Sequence, residues 1–482
     1  MLHGRGDAGL FPSTTNGLPT FRSKVLLGFL AFAVLVTAIV TQRPKTLSDF
    51  DQSFYLTIAY DLNRHGVFSN GVFDNTNSTR DVPSPGMFFV PGYPLVVLAA
   101  MKLDARFAKA AECSVIAVNQ QREATDCEPY ATPVRVIHAA LLALGVVAIA
   151  FAASLIFPST RVFWITGAVT TASLAAEAFI LSYVMTESLT FSLYSVTMCF
   201  AVLAWKRGNL TWWGLTGLSL GLLCLTRPSF VVLIPGMLLL IAAGSYLLEA
   251  KTRPSAWKSA AVFATVVALT IGPWMLRNHV SVGKWGLTEE YGSAVLIERF
   301  AYNDMTPTEF FTAFPYCTPG LGELLFDQVY GRDSMHRFVY HTRDSFFHVG
   351  RGRRDMLVQE HGRLDPLIGD IVREEMRTDW WRHLLVSIPL AWCGLWAGWI
   401  VGLVLVPLFV WASVRAIRLR EPVLLLYAAP AIMMLGLHGA VANHYTRYNL
   451  ILIGPLAAGA AWMISAWLQP KRSPSQAATS ES

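Results

Sequence analysis

The sequence predicts an all-α polytopic membrane protein with roughly ten to twelve transmembrane helices, and three observations lead to that prediction. The chain of 482 residues is 54% hydrophobic and only 15% charged, whereas soluble domains carry about a quarter charged residues. Apolar runs long enough to cross a bilayer recur along it. Short Lys/Arg clusters separate many of these runs, as the positive-inside rule expects. This clustering also accounts for the net charge of +6 and argues against nucleic-acid binding.

The first element is an apolar run at residues 25–40, which we interpret as an uncleaved transmembrane helix after a cytoplasmic tail, residues 1–24. A first outer loop of juxtamembrane helices, residues 41–132, follows. Apolar residues recur at helical spacing over residues 48–62, which is typical of an amphipathic helix in the membrane interface. The apolar run at 90–101 is too short to cross easily. We interpret it as a surface helix, because the later Lys/Arg clusters then all face the cytoplasm.

Nine further transmembrane helices are expected, which gives ten in all with both termini in the cytoplasm. They are predicted at about 133–157, 162–180, 186–205, 210–226, 229–248, 258–277, 395–416, 422–439 and 449–468. An apolar segment at 384–395 is a candidate for an additional helix.

The second long polar segment, residues 278–383, contains half of the chain's 32 acidic residues and must therefore lie in water. Helical patterning predicts that it forms a small outward-facing cap. The transmembrane core, residues 25–277, precedes it, and C-terminal transmembrane helices, residues 384–469, follow. The tail, residues 470–482, is Ser-rich and predicted to be disordered.

The six cysteines divide by their surroundings. Cys113 and Cys127 share the first outer loop and can pair if that loop faces an oxidising compartment. Cys317 would then be left over. The others lie in apolar runs and are most simply small core residues: Cys199, Cys224 and Cys393.

Chemistry-bearing residues gather on the predicted outward face. Asp49 and Asp51 lie just beyond the first transmembrane helix, and Glu187 begins another one. A carboxylate can remove the proton of an acceptor hydroxyl during group transfer. Asp51 is favoured as this base, because it precedes Tyr55 by one helical turn on the anchored face. Asp49 would orient it or bind a divalent ion. A solvated loop carboxylate is the alternative for both, and helix capping is the alternative for Glu187.

Several motifs, in order, resemble those of the GT-C glycosyltransferases, in particular the branch that contains protein O-mannosyltransferases and the aminoarabinose transferase of lipid A. They are Asp51-x-x-x-Tyr55-x-x-x-Ala59-x-x-Leu62-x-x-x-Gly66, Pro91-Gly92-Tyr93-Pro94-Leu95, Arg135, Thr186-Glu187, Thr226-Arg227-Pro228 and Pro273-Trp274-x-x-Arg277-Asn278. The resemblance covers most of residues 25–300. The family's adjacent acidic pair is Asp51-Gln52 here, which leaves Asp49 or Glu187 to supply any second carboxylate.

The resemblance implies a GT-C fold and an inverting glycosyltransferase that uses a polyprenyl-phosphate sugar as donor. The acceptor would be a hydroxyl of a lipid, glycan or protein at the outer face of a bacterial inner membrane. No cofactor is required by this scheme; a divalent metal at Asp51 and Asp49 is the alternative, and no metal site is expected among the cap histidines.

Cationic and hydrogen-bonding residues complete the predicted site. A guanidinium can hold a phosphate bidentately, and Arg447, Arg277 and Arg135 are the candidates; interfacial anchoring would equally place Arg at helix ends. The candidates for binding the sugar or the acceptor are Asn278, His444, Tyr93 and Tyr55.

Two other classes of function remain open. A transporter or lipid flippase would carry ionisable residues near the bilayer midplane, whereas here they gather at one membrane face. The other is a non-catalytic scaffold or a polymer ligase of related architecture, and such a ligase would take its key residues from the late outer loop.

Overall fold

A computed structural model describes residues 21–41, 46–49, 51–73, 82–120, 122, 124–248, 255–325, 332–340, 342–442 and 445–468. Over these residues the protein is helical and contains no strand, which confirms the predicted all-α class. Most of the N-terminal tail, the tail after residue 469 and the candidate His444 lie outside the described residues.

The helices follow the predicted order closely. The α-helices are α1 (Phe21–Thr41), α2 (Gln52–His65), α3 (Gly92–Leu103), α4 (Ala105–Asn119), α5 (Thr132–Ile156), α6 (Thr160–Ala176), α7 (Ala178–Leu181), α8 (Glu187–Arg207), α9 (Leu210–Cys224), α10 (Leu233–Leu247), α11 (Ala256–Val282), α12 (Tyr291–Phe300), α13 (Pro307–Cys317), α14 (Leu321–Leu325), α15 (Phe346–His361), α16 (Asp365–Leu395), α17 (Gly402–Leu419), α18 (Pro422–Val441) and α19 (Ile453–Trp467). Short 3₁₀ turns precede α10, α17 and α19 and extend them.

Seven helices of the described chain are long and apolar enough to cross a membrane: α5, α8, α10, α11, α17, α18 and α19, three of them with their 3₁₀ turns. The predicted helices at 25–40 and 210–226 correspond to α1 and α9, whose apolar parts are shorter. The one predicted at 162–180 corresponds to two helices, α6 and α7. The surface helix predicted at 90–101 is α3, only 12 residues long. The segment at 384–395, a candidate for an additional helix, forms the last part of α16, beyond a kink at Asp379.

Three transmembrane helices, α5, α8 and α19, form the buried centre of the bundle. Both α5 and α19 are rich in Ala and Gly, which allows neighbouring backbones to approach closely in a membrane. Gly145 in α5, for example, lies directly against the ring of Phe191 in α8. Because α8 and the 3₁₀ turn before α19 are neighbours, residues at the start of α8 and in that turn come together.

The first outer loop forms a second layer, in which α2, α3 and α4 pack on one another and on α5. Its core includes Leu56, Tyr93 and Phe107, all fully buried. The Cys113–Cys127 disulfide, allowed for in the sequence, joins α4 to the segment before α5. The amphipathic helix predicted after Asp51 is therefore a packed element, α2, with Asp51 at its N-cap position.

The cap consists of α12 to α15 and the first part of α16. It shows that the interpretation of two cysteines was wrong, because Cys317 and Cys393 form a disulfide with a Cα–Cα distance of 4.9 Å. The physical reason is that α13 packs against the last turns of α16, where Trp392 Nε1 donates a hydrogen bond to the Phe314 carbonyl at 2.9 Å. Cys199 and Cys224 are free and buried, as expected of core residues.

Candidate active site

The loop that carries Asp49 and Asp51 is fixed by Gln52, which is only 1% exposed. Its amide nitrogen donates to the carbonyls of Thr46 and Asp49 at 2.7 and 2.9 Å. Its amide oxygen accepts the backbone N–H of Val184 at 2.8 Å. Gln52, which stands where the GT-C glycosyltransferases that the sequence resembles have an acidic residue, thus ties the loop of Asp51 to the turn before Glu187.

The centre of the site is a contact among three predicted residues from distant parts of the chain. Arg447 Nη2 donates to Asp51 Oδ2 at 3.0 Å, across 396 positions of sequence. Arg447 Nη1 lies 4.0 Å from Glu187 Oε1. The side chains differ in exposure: 42% for Asp51, 18% for Arg447 and 4% for Glu187. The exposed carboxylate can reach a substrate hydroxyl, while the buried one faces the cation.

Glu187 has one carboxylate oxygen that the described residues do not satisfy. Its Oε2 is buried without a hydrogen-bond partner among them, although most buried polar atoms in proteins have one. The residue begins α8, where the helix dipole favours a negative charge. The favourable interaction between its charge and the helix dipole therefore explains why Glu187 lies at this helix end. It does not explain the unpartnered Oε2, which can accept a hydrogen bond from a hydroxyl of a ligand.

An aromatic wall borders this cluster on the side of the first outer loop. Tyr55 meets Tyr93 edge to face at 5.0 Å between ring centroids, and the hydroxyl of Tyr93 lies 2.9 Å from Nε2 of His138. Burial, followed by the charge of Asp51, raises the pKa of the Tyr55 phenol well above its usual value. Tyr55 therefore keeps its proton at neutral pH. Both predicted tyrosines lie at the site, and His138 was not predicted.

Two further residues approach the cluster. Arg227 lies 4.8 Å from the ring of Tyr448, whose hydroxyl accepts a hydrogen bond from Arg447 Nη2 at 3.2 Å. Its motif, Thr226-Arg227-Pro228, is part of the family resemblance. Tyr291, the first residue of α12, was missed, because nothing near it in the sequence distinguishes it from other cap aromatics.

The remaining predicted residues are placed differently. Arg277 Nη2 donates to the Phe68 carbonyl at 2.9 Å, and its Nη1 donates to the carbonyl of Gly86. Asn278 Nδ2 donates to the carbonyl of Gly286 at 2.9 Å. These contacts hold the outer loop against the start of the cap, so binding of a phosphate by Arg277 or of a sugar by Asn278 stays a prediction. The predicted roles of Arg135, which is half-buried in the first turn of α5, and of the exposed Asp49 also stay predictions.

Three carboxylates of the described chain lie close enough together to consider a metal, and they are not the predicted pair. Ligand oxygens of Glu289, Glu290 and Asp365 lie within 4.8 Å of one another. Each carboxylate already accepts hydrogen bonds from protein groups. The arrangement is that of a structural cluster, and the expectation that no metal is required stays a prediction.

Comparison with known proteins gives structural neighbours only. No protein-family model matches the chain, and no curated protein matches it. Among solved structures it is similar to ArnT from Cupriavidus metallidurans bound to undecaprenyl phosphate, with a TM-score of 0.39 and 14% identity over 90% of this chain and 78% of that chain. The apo structure of the same protein gives 0.36 and 13%, over 91% and 78%. The chain is an integral membrane protein that is helical over the residues the structure describes.

Proposed function

We propose that this protein is a GT-C-type membrane glycosyltransferase that moves a sugar from a polyprenyl phosphate to an acceptor hydroxyl at the outer face of the membrane. The observation that supports this most is the contact of Asp51, Glu187 and Arg447. An exposed carboxylate, a buried carboxylate and a guanidinium converge there from three separate outward connections. These are the groups required to deprotonate an acceptor, bind a sugar and hold a leaving phosphate.

Asp51 is the proposed general base. Its carboxylate takes the proton of the acceptor hydroxyl as the acceptor oxygen forms a bond to the anomeric carbon. The bond between that carbon and the phosphate oxygen breaks, and the polyprenyl phosphate leaves with the electron pair. A single displacement of this kind inverts the anomeric centre. Asp51 then releases its proton to water.

Arg447 is the proposed phosphate ligand, with Arg227 on the other side of Tyr448. Negative charge develops on the leaving phosphate, and a guanidinium stabilises it through two parallel hydrogen bonds. Inversion places the base and the leaving group on opposite faces of the anomeric carbon. The Asp51–Arg447 ion pair must therefore open when the sugar binds, which also frees Asp51 to accept a proton.

Glu187 is proposed to bind the sugar. Its buried, unpartnered Oε2 can accept a hydrogen bond from a hydroxyl of the donor, and its other oxygen faces Arg447. The alternative is that Glu187 is the base, which its low exposure makes less favourable because the acceptor must reach it.

The disulfides support the proposed sidedness. Cys113–Cys127 lies in the first outer loop, and Cys317–Cys393 joins the cap to the last turns of α16; disulfides persist mainly in oxidising compartments such as the bacterial periplasm. We therefore place the site on the periplasmic face of an inner membrane. The cluster lies at the N-terminal ends of α2, α8 and the 3₁₀ turn before α19 rather than along the middle of the helices, which favours an enzyme over a transporter.

The experiment uses purified protein in lipid nanodiscs, a panel of polyprenyl-phosphate sugars and a crude envelope acceptor. Release of polyprenyl phosphate is measured for the wild type, Arg447→Ala and the control Arg373→Ala, which alters an exposed arginine of the cap. We expect one donor to be turned over, and Arg447→Ala to slow release by about 100-fold or more, while the control retains wild-type rates. Absence of release from every donor would reject the proposal.

A further inference from the structure

The backbone just before the cap helix α12 is held in an unfavourable conformation. Glu290 has φ +67°, a left-handed value that is uncommon for residues other than glycine. Such a conformation persists only where surrounding contacts over-determine it, and these positions cluster at functional sites. At Glu290 these contacts come from the start of α16.

A reciprocal set of hydrogen bonds, which we call the cap clasp, joins Glu290 and Ser293 to Leu364 and Asp365. The Glu290 N–H donates to Asp365 Oδ2 at 2.9 Å, and Ser293 Oγ donates to Asp365 Oδ1. In return, the backbone N–H groups of Leu364 and Asp365 donate to the Glu290 carboxylate. The clasp therefore locks the start of α12 to the start of α16.

The residue that the clasp orients is Tyr291, and it faces the candidate site. Its ring packs against Phe88 and Phe89 at 5.6 and 5.7 Å between centroids, and Phe89 in turn packs against Tyr55. Its phenol is in the electrostatic field of Tyr448, Arg227, Asp51 and Arg447. Burial is the main cause that raises its pKa, so the hydroxyl remains a hydrogen-bond donor at neutral pH.

We propose that Tyr291 donates a hydrogen bond to the phosphate of the polyprenyl-linked donor, beside Arg447 and Arg227, and that the cap clasp positions it. This inference rests on the proposed function and assigns the cap a direct part in it. A neutral donor next to two cations suits a lipid phosphate, whose oxygens offer more acceptor sites than one guanidinium fills.

Tyr291→Phe tests the contact with a readout independent of turnover. Binding of undecaprenyl phosphate to the nanodisc protein is measured by quenching of tryptophan fluorescence. We expect the Kd to rise about tenfold, as for loss of a hydrogen bond to a charged group. Tyr246→Phe, which alters an exposed tyrosine far from the site in sequence, is the control. An unchanged Kd together with unchanged release kinetics in Tyr291→Phe would overturn the inference.

Two substitutions of Glu290 test the clasp as a positioning element. Glu290→Gly relieves the left-handed strain but removes the carboxylate that accepts two backbone N–H groups, so we expect a modestly lower melting temperature with weaker lipid binding and a lower kcat. Glu290→Gln keeps an oxygen that accepts the Leu364 N–H, and it should recover most of the lipid binding and of the kcat. If Glu290→Gly binds and turns over like the wild type, the clasp does not position Tyr291.

The two proposals fail in distinguishable ways. If the wild type releases no polyprenyl phosphate from any donor, yet Tyr291→Phe weakens lipid binding, the glycosyltransferase proposal fails and the Tyr291 contact holds. If the wild type turns over a donor and Tyr291→Phe is indistinguishable from it, only the Tyr291 inference fails. A wild type that neither binds undecaprenyl phosphate nor releases it overturns both.

Discussion

At the scale of single residues, Asp51, Glu187 and Arg447 could be selected from the sequence because each follows or begins a membrane helix on the same predicted side. Their mutual contact required the tertiary structure. Gln52 shows the limit of pattern reasoning: in the sequence it is a departure from the family's acidic pair, whereas in the structure it is the residue that fixes the Asp51 loop.

Gln52→Glu introduces the adjacent acidic pair of the GT-C glycosyltransferases that the sequence resembles, and it tests that role. A carboxylate cannot donate to the carbonyls of Thr46 and Asp49, and it places an unpaired charge in a buried position. We expect destabilisation by roughly 2 kcal/mol or more, seen as a lower melting temperature in a thermal scan. Gln359→Glu, on the exposed face of α15, is the control. A Gln52→Glu protein as stable as the control would show that the amide hydrogen bonds are dispensable.

At the scale of elements, the pairing of Cys317 with Cys393 depends on the course of α16, which the sequence did not predict. Helix α16 runs from the cap to Leu395 with a kink at Asp379, so the segment at 384–395, a candidate for an additional helix, lies beyond that kink. The part of α16 after the kink brings Cys393 to Cys317. The pairing could not be predicted, because Cys393 lies in an apolar run and its partner is 76 residues away.

The two disulfides should differ in their effect on stability. Cross-linking a longer loop removes more conformational entropy from the unfolded chain, about 4.5 kcal/mol for the separation of 76 and about 3 kcal/mol for 14 in the chain-entropy account. We therefore expect Cys317→Ser/Cys393→Ser to lower the melting temperature more than Cys113→Ser/Cys127→Ser does. The reverse order would mean that packing of the cap, rather than the cross-link, supports α13.

The placement of Tyr291 also belongs to this scale. An aromatic in a polar cap has no periodic signal, and its orientation depends on a clasp between residues about 75 positions apart. The sequence does contain Glu289-Glu290, but only the φ value of Glu290 shows that the pair marks a constrained position.

At the scale of the whole molecule, hydropathy was sufficient to predict the helical class and the order of the helices. Apolar length predicted the transmembrane helices and the shortness of α3. The location of α3 at the membrane surface, inferred from the Lys/Arg clusters, stays a prediction. Side-chain periodicity does not, however, report which helices are central. That α5, α8 and α19 form the buried core, and so bring Glu187 and Arg447 together, follows from close packing of small residues in three dimensions.

The most direct test of the central claim is release of polyprenyl phosphate by Asp51→Asn, compared with the wild type and with Asp370→Asn, which alters an exposed cap carboxylate. We predict that Asp51→Asn loses about 100-fold or more of the rate with an unchanged melting temperature, while Asp370→Asn retains it. Wild-type turnover by Asp51→Asn, with the loss appearing instead in Glu187→Gln, would contradict the assignment of Asp51 as the base.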